Sequence, residues 1–386
     1  MTKQTQTFLK KPSIHISDIR TFKSCRRKWN WCSPLRMNLE KAVTYAPFFL
    51  GKAVHYGLQQ YYENGEVPAE AAVGYMQAEL KALVEEHGAL WEQELGVLDE
   101  QVTLAKGMLD HYHHWTKSES GPFSDGNLRF LALETEFNEP MYTPSGRVSP
   151  KFRLGGRFDG VVQKIDDGTY WIFETKTTRS IQELVDTLQN DEQCGTYILA
   201  AQQMLGIRIS GVLYNILRKK VPTIPSSLQN GYLSQRANLD STAEAFFAYA
   251  CWYHGAYATP EQLAEAATNE NMNTPHMTEE EVREYYGPYL EALLAKQDKF
   301  FQRQAVFRTP NELKQLSIDL WTVALEMTRK DTPLYPSPTW MNCRFCSFRQ
   351  PCYAYNAGQD IDFLFEQNYR VRREWDPMEA KEDGQG

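Results

Sequence analysis

Arg157-Phe158-Asp159-Gly160-Val161 and Phe173-Glu174-Thr175-Lys176-Thr177-Thr178 are the cores of two β-like runs that flank the polar turn Asp166-Asp167-Gly168. Arg153 to Ile165 and Thr169 to Thr178 are rich in the β-branched and aromatic types that fit a pleated surface. Asp-Gly is a strong signal for a two-residue hairpin loop. With Asp167-Gly168 as that loop, Asp166 faces Thr169, Val161 faces Glu174 and Asp159 faces Lys176. Side chains alternate with period two, so Asp159, Glu174 and Lys176 are expected on one face. Two carboxylates beside an ammonium suit a hard, oxygen-preferring cation next to a phosphate, a Mg²⁺-type site. Cross-strand charge pairs also serve simply as a solvated sheet face, so the reading needs support from elsewhere in the chain.

Downstream, the period changes to helical from Ile181 to Gly206, with Gln193 and Tyr197 one turn apart on the same helix face. Gly206 is a helix stop, and the alternating run Ile209 to Leu217 is a further strand. Strand hairpin, helix, strand is the order of an α/β core with a helical crossover. Upstream, Gly51-Lys52-Ala53-Val54-His55 opens a helix-like segment that runs to Tyr62.

Taken together, Gly51-x3-His55, Asp159, Glu174-x-Lys176 and Gln193-x3-Tyr197 resemble the PD-(D/E)xK nuclease superfamily. More narrowly they are similar to its RecB-like exonuclease branch, which includes AddB-type nuclease domains and CRISPR-associated exonucleases. Ser17-Asp18-Ile19-Arg20-Thr21-Phe22-Lys23-Ser24-Cys25 resembles the N-terminal signature of that branch, with Arg26 where a Pro usually follows the Cys. The resemblance implies a restriction-endonuclease-like α/β core sheet flanked by helices. It also implies that His55, Asp159, Glu174 and the carbonyl of Thr175 hold Mg²⁺ or Mn²⁺. Lys176 would then orient the attacking water or stabilise the transition state, and Gln193 and Tyr197 would position substrate. Glu136, on the strand Phe130 to Phe137, is a further candidate acidic ligand.

Seven cysteines in 386 residues are too few and too uneven for a disulfide scaffold. Cys343-x2-Cys346-x5-Cys352 is a compact three-thiolate cluster, a metal site that needs a fourth ligand. Cys25 is the natural candidate and Cys32, seven positions on, its competitor. Spacing alone does not choose between Zn²⁺ and iron–sulfur, since both take four thiolates; the family resemblance implies a [4Fe–4S] cluster that clasps the two ends of the chain. Cys194 and Cys251 read as small core residues.

Composition bounds the function without naming it. The chain has no apolar run of membrane-spanning length, and its start, Met1-Thr-Lys-Gln-Thr-Gln-Thr, has no apolar signal region; a cytoplasmic protein is expected. A net charge of −8 runs against the usual basic balance of nucleic-acid proteins, so DNA contacts fall to local patches. Of these, Arg26-Arg27-Lys28 is the leading candidate because Trp29 and Trp31 beside it could stack on unpaired bases. No phosphate loop of the Gly-x4-Gly-Lys-Ser/Thr kind occurs, nor a Gly-x-Ser-x-Gly nucleophile motif. His111, His113 and His114 have no acidic or thiol partner at ligand spacing.

The expected organisation is a flexible arm (1–14), a helical region with Cys25 and His55 (15–118), the nuclease core (119–220), a helical addition (221–330), the cysteine-cluster region (331–375) and a disordered tail (376–386). The expected function is metal-dependent exonuclease activity on single-stranded or end-containing DNA, in recombination, repair or phage DNA metabolism, alongside a recombination or replication protein. The alternatives are a structure-specific endonuclease of the same superfamily and a non-catalytic DNA-binding scaffold with a structural metal cluster.

Overall fold

The computed structural model describes residues 11–42, 47–87, 92–257, 274–296 and 300–372. The disordered tail expected at 376–386, and all but the end of the expected arm, lie outside them. Ser13 and Ile14, at the end of that expected arm, are instead in strand β1 (Ser13–His15), with Ile14 fully buried. Helices α1 (Ile16–Ser24) and α2 (Arg26–Cys32) follow, then a short strand β2 (Leu39–Lys41). Three long helices come next: α3 (Pro47–Asn64), α4 (Pro68–His87) and α5 (Glu92–Ser118). The central strands are β3 (Leu128–Tyr142), β4 (Val148–Lys164) and β5 (Tyr170–Thr178). Helices α6 (Ile181–Leu188) and α7 (Glu192–Leu205) cross over to β6 (Ile209–Arg218), which lies parallel to β5. The two crossover helices are locally encoded. Ser180 and Asp191 cap them by accepting from Glu183 N and Gln193 N, and Gly206 ends α7 with a left-handed φ of 65°.

The region from 221 to 330 contains the expected helices, at Ala243–Tyr253, Glu279–Leu294 and Pro310–Met327. It also contains strand β7 (Phe301–Val306), which pairs antiparallel with β6 at the edge of the sheet. Helices Trp340–Arg344, Arg349–Asn356 and Asp362–Asn368 and strand β8 (Tyr369–Val371) finish the described chain, and β8 pairs with β2.

The main sheet runs β1-β4-β5-β6-β7, with β3 on the other edge of β4. Because β3 follows nearly all of β4, β1 and β5 share its opposite edge. There β1 pairs with Arg153–Gly155 and β5 with Gly160–Gln163. Residues 156–159 of β4 therefore have no ladder partner on that edge among the described residues. One face of the sheet is packed by α1, α7 and Pro310–Met327, around Phe158, Ile172 and Tyr197. The other is packed by α3 and α5, around Phe173, Leu213 and Tyr112.

The β4–β5 register differs from the expected one. Gly160 pairs with Phe173 and Val162 with Trp171, and the Lys164 N–H donates to the Thr169 carbonyl at 2.8 Å. The loop is thus four residues, Ile165 to Gly168, closed by Gly168 at φ 72° and by the Asp167 carboxylate, which accepts from Thr169 N and Oγ1. The side-chain bonds of Asp167 explain why the longer loop is preferred over a two-residue turn. The slip is two residues, so it keeps every side chain of β5 on its expected face.

Candidate active site

Where β4 lets go of β5, a backbone donor on β5 would be left without a partner. The Asp159 carboxylate takes it up, with Oδ2 accepting from Thr175 N at 2.8 Å. Alternation also slips at this point. Phe158 and Val161, three apart, pack in the same core, as do Ala132 and Phe137, five apart on β3; strict period-two strands would send the members of each pair to opposite faces. Between Ala132 and Phe137 lies Glu134, whose φ is 41°. Glu134 and Asp159 lie opposite each other between the Leu133–Gly160 and Thr135–Phe158 pairs. The site is therefore not the single sheet face that the sequence reading expects; it sits at the opening between two strands and is reached from both sides.

From the α3 side, His55 Nδ1 lies 3.3 Å from Asp159 Oδ2 and 3.9 Å from Glu134 Oε1. One ligand atom from each of His55, Glu134 and Asp159 falls within 4.8 Å of the other two, a grouping able to hold a metal ion. Arg157 Nε holds the other Glu134 oxygen at 2.8 Å. Leu58, Gln59, Tyr62, Leu133, Phe173 and Thr175 complete the wall of this cleft. From the α7 side, Lys176 Nζ donates to Glu174 Oε1 at 2.5 Å and to Gln193 Oε1 at 2.9 Å, and Gln193 Nε2 donates to Glu174 Oε1 at 2.7 Å. Arg20 of α1 reaches Gln193 Oε1 at 3.3 Å. Tyr197 lies one turn beyond Gln193, edge-on to Phe137 and Phe158, with its hydroxyl beside the Gln193 amide.

The charges are strongly coupled. Burial alone would lower the His55 pKa, but the Asp159, Glu174 and Glu134 carboxylates push it up to about 9. Burial and repulsion from Asp159 push Glu174 up to about 7, against the pull of Lys176. Burial would also raise Asp159, yet His55, Lys176 and the Thr175 N–H hold it below the usual carboxylate range. Glu134 is raised by burial and by Asp159. Burial works against the Lys176 ammonium, and the Glu174 carboxylate more than restores it.

Of the acidic candidates, Glu136 does not reach the group. It lies on a neighbouring cleft with Ser13, His15 and Asn138, while Glu134 takes the position beside His55. Glu134 and Glu136 have the same strand parity, so alternation cannot separate them; the backbone turn at Glu134 does. The three histidines of α5 form no metal-ligand group among the described residues.

The cysteine-bearing segments near the two ends of the described chain also lie together, although their thiols form no metal-ligand group among the described residues. Cys25 lies between α1 and α2 in extended conformation, and Asn342 Nδ2 donates to the Ser24 carbonyl beside it at 2.9 Å. Burial raises the Cys346 thiol, which also feels Cys25 and Cys343 as neighbours. Arg27 Nη1 lies 3.4 Å from Cys352 Sγ. Cys32 has a different environment: burial raises it too, but the charges acting on it are Lys28, Asp18 and Arg372. All seven cysteines are free, and Cys194 and Cys251 are core residues as expected. In the Arg26–Lys28 patch, Arg26 is paired with Glu326 at 2.5 Å. Trp29 and Trp31 are buried, packed on Phe22 and on Phe348 and Phe365 respectively, so neither can stack on a base.

A family model described as PD-(D/E)XK nuclease superfamily matches residues 14–353. The chain belongs to that superfamily. Membership implies a metal-dependent nuclease that acts on DNA. No curated protein matches this PD-(D/E)XK nuclease. Among its described residues, no helix is long and apolar enough to cross a membrane.

Proposed function

We propose that the chain is a RecB-like, divalent-metal-dependent DNA exonuclease whose termini are clasped by a [4Fe–4S] cluster. One observation carries the catalytic part: six side chains scattered from His55 to Tyr197, named together from the sequence, meet around a single opening in the sheet. The donors suit a hard divalent ion such as Mg²⁺ or Mn²⁺. Two carboxylates and one imidazole, Glu134, Asp159 and His55, group closely enough to hold an ion, and Glu174, outside that group, has its Oε2 buried with no hydrogen-bond partner among the described residues. His55, Glu134, Asp159 and Glu174 would hold the ion, with the Thr175 carbonyl assisting. When bound there, such an ion lowers the pKa of water and neutralises charge on the scissile phosphate.

The protein's own groups do the rest. Lys176, fixed by Glu174 and Gln193, directs its ammonium toward the charge that builds on phosphate oxygens in the transition state. Gln193 ties Lys176, Glu174 and Arg20 into one unit, so those three groups need no reorganisation during reaction. Tyr197 holds Gln193 from beneath.

The cluster reading rests on the thiol environment. Cys346 is close enough to Cys25 and Cys343 to feel their charge and Arg27 reaches Cys352, whereas the charges acting on Cys32 are those of Lys28, Asp18 and Arg372. That favours Cys25, Cys343, Cys346 and Cys352 as the four ligands, with Zn²⁺ as the alternative occupant. Arg26, Arg27 and Lys28 are the proposed nucleic-acid contacts of the N-terminal segment, Arg27 and Lys28 foremost because Arg26 is paired.

The test is digestion of end-labelled single- and double-stranded DNA with Mn²⁺ or Mg²⁺ and with chelator, beside a circular single strand. Progressive loss from an end, with the circle spared, is the expected result. Cleavage of the circle would favour an endonuclease, and inertness toward every substrate would favour the scaffold.

A further inference from the structure

The surface over the cysteines differs from the rest of the chain in charge. Residues 19–39 and 332–359 contain Arg20, Lys23, Arg26, Arg27, Lys28, Arg36, Arg344 and Arg349, and no Asp or Glu. The chain totals 41 Lys and Arg against 49 Asp and Glu, so everything outside these segments carries 33 cations and 49 anions. The two segments touch: Arg27 N donates to the Tyr335 carbonyl at 3.2 Å, and Arg27 Nη1 to Asn356 Oδ1 at 2.6 Å. Arg20, Lys23 and Arg26 are answered by Asp191, Glu192 and Glu326. Arg27, Lys28, Arg344 and Arg349 have no acidic partner among the described residues.

The same surface is crowded with exposed rings. Trp340 is 71 % exposed, Phe345 82 %, Tyr353 62 %, Tyr355 54 % and Tyr335 53 %. They alternate with guanidinium groups. Arg344 lies 5.1 Å from the Trp340 ring and 4.8 Å from the Phe345 ring, and Arg27 lies 4.6 Å from that of Tyr355. A protein partner would bury such rings, but cations left without an acidic partner beside them suit a polyanion better. Rings are also of little use to a duplex, whose base faces are hidden. Unpaired bases stack on exposed aromatics while the cations follow the phosphates. Helix α1 connects this surface to the hydrolytic site, since Arg20, bonded to Gln193, and Cys25 are about one and a half turns apart.

We infer that Arg27, Tyr335, Trp340, Arg344, Phe345 and Tyr355 form a stacking platform for single-stranded nucleic acid, outside the hydrolytic site. The choice of occupant rests on the nuclease reading; the position of the platform rests on the surface itself. Fluorescence anisotropy of a labelled oligothymidine tests it, with full-chain protein silenced by Lys176→Ala. Trp340→Ala and Phe345→Ala should each weaken binding about tenfold, and Trp340→Phe should restore most of the loss. An abasic strand of equal length should bind weakly and be indifferent to the ring substitutions, and blunt-duplex binding should change less than twofold. Both side chains are mostly solvent-exposed, so unchanged circular dichroism and cluster absorbance are expected.

Unchanged oligothymidine affinity in the Trp340→Ala/Phe345→Ala protein overturns the platform, as does an equal loss on the abasic strand. The nuclease reading fails separately. Protein with Lys176 intact that binds single strands through these rings but digests no DNA keeps the platform and loses the enzyme. Protein that digests DNA while binding without the rings keeps the enzyme and loses the platform.

Discussion

Glu174→Gln separates what the site needs for chemistry from what the fold needs for stability. Glu174 is 2 % exposed; its Oε1 accepts from Lys176 and Gln193, and its Oε2 has no partner among the described residues. Carrying a carboxyl from 4.5 in the unfolded chain to about 7 in the fold disfavours its anion by about 3 kcal/mol. The folded carboxyl binds its proton more tightly than the unfolded one. The penalty is therefore absent below about pH 4.5, grows as pH rises toward 7 and is complete above it. Glutamine keeps the shape and an oxygen for Lys176 and Gln193, but has no charge to bury.

In divalent-free buffer the Glu174→Gln protein should match wild type near pH 5 and exceed it by up to about 3 kcal/mol at pH 8. With an unfolding entropy of about 2.1 cal/mol/K per residue over 386 residues, that is roughly 4 °C in Tm. Calorimetric melts at the two pH values read it directly, and DNA digestion by the same preparation should be abolished. A variant that melts lower at pH 8, or differs from wild type equally at both pH values, refutes the buried-charge account. One that still digests DNA refutes the assignment of Glu174 to the metal.

Three further outcomes are expected. Lys176→Ala should lose cleavage while still binding Mn²⁺, because its ammonium acts on the phosphate and not on the ion; calorimetry showing lost Mn²⁺ binding would contradict this. Divalent ions should displace protons from His55 and Glu174, whose pKa values of about 9 and about 7 leave them largely or partly protonated at neutral pH, so affinity should rise between pH 6 and 9. A binding enthalpy that does not vary with the ionisation enthalpy of the buffer would count against it. Cys25→Ala, Cys343→Ala, Cys346→Ala and Cys352→Ala should each bleach a brown protein, while Cys32→Ala keeps its absorbance; the reverse result for Cys25 and Cys32 would exchange the N-terminal ligand.

Much of the site is legible in the sequence because its parts are set by local rules. Caps at Ser180 and Asp191 and the stop at Gly206 set the ends of α6 and α7, and the apolar face of α7 packs it into the core with Gln193 and Tyr197 at the site. What escapes is set by pairing at a distance. Phe301–Val306 contains Gln302, Arg303 and Gln304, a poor strand on its own, and becomes one because β6 offers a free edge. Arg303 is then held by Asp125, Tyr62 and the Phe123 carbonyl, none of them near it in sequence. The hairpin loop escaped because Asp167 bonds Thr169 and lengthens the turn. Trp29 and Trp31 look like surface aromatics among cations, yet Trp29 packs on Phe22 in the main core, and Trp31 is covered by Phe348 and Phe365 from the other end of the chain.

Glu134 is the residue whose role depends most on geometry invisible in the sequence, and its backbone can be tested apart from its charge. At φ 41° it occupies the left-handed region, which costs a side-chain-bearing residue about 1–2 kcal/mol. Glycine enters that region freely, whereas in an ordinary strand it is worse than alanine. Glu134→Gly and Glu134→Ala both remove the carboxylate, its bond to Arg157 and its place beside His55, so those losses cancel in the comparison. What remains is the backbone. The glycine protein should be the more stable of the two by about 1 kcal/mol, measured by denaturant unfolding, and both should bind Mn²⁺ more weakly than wild type. If alanine proves the more stable, β3 runs straight through Glu134, the slip in alternation opposite Asp159 disappears, and Glu134 and Glu136 become equal candidates again.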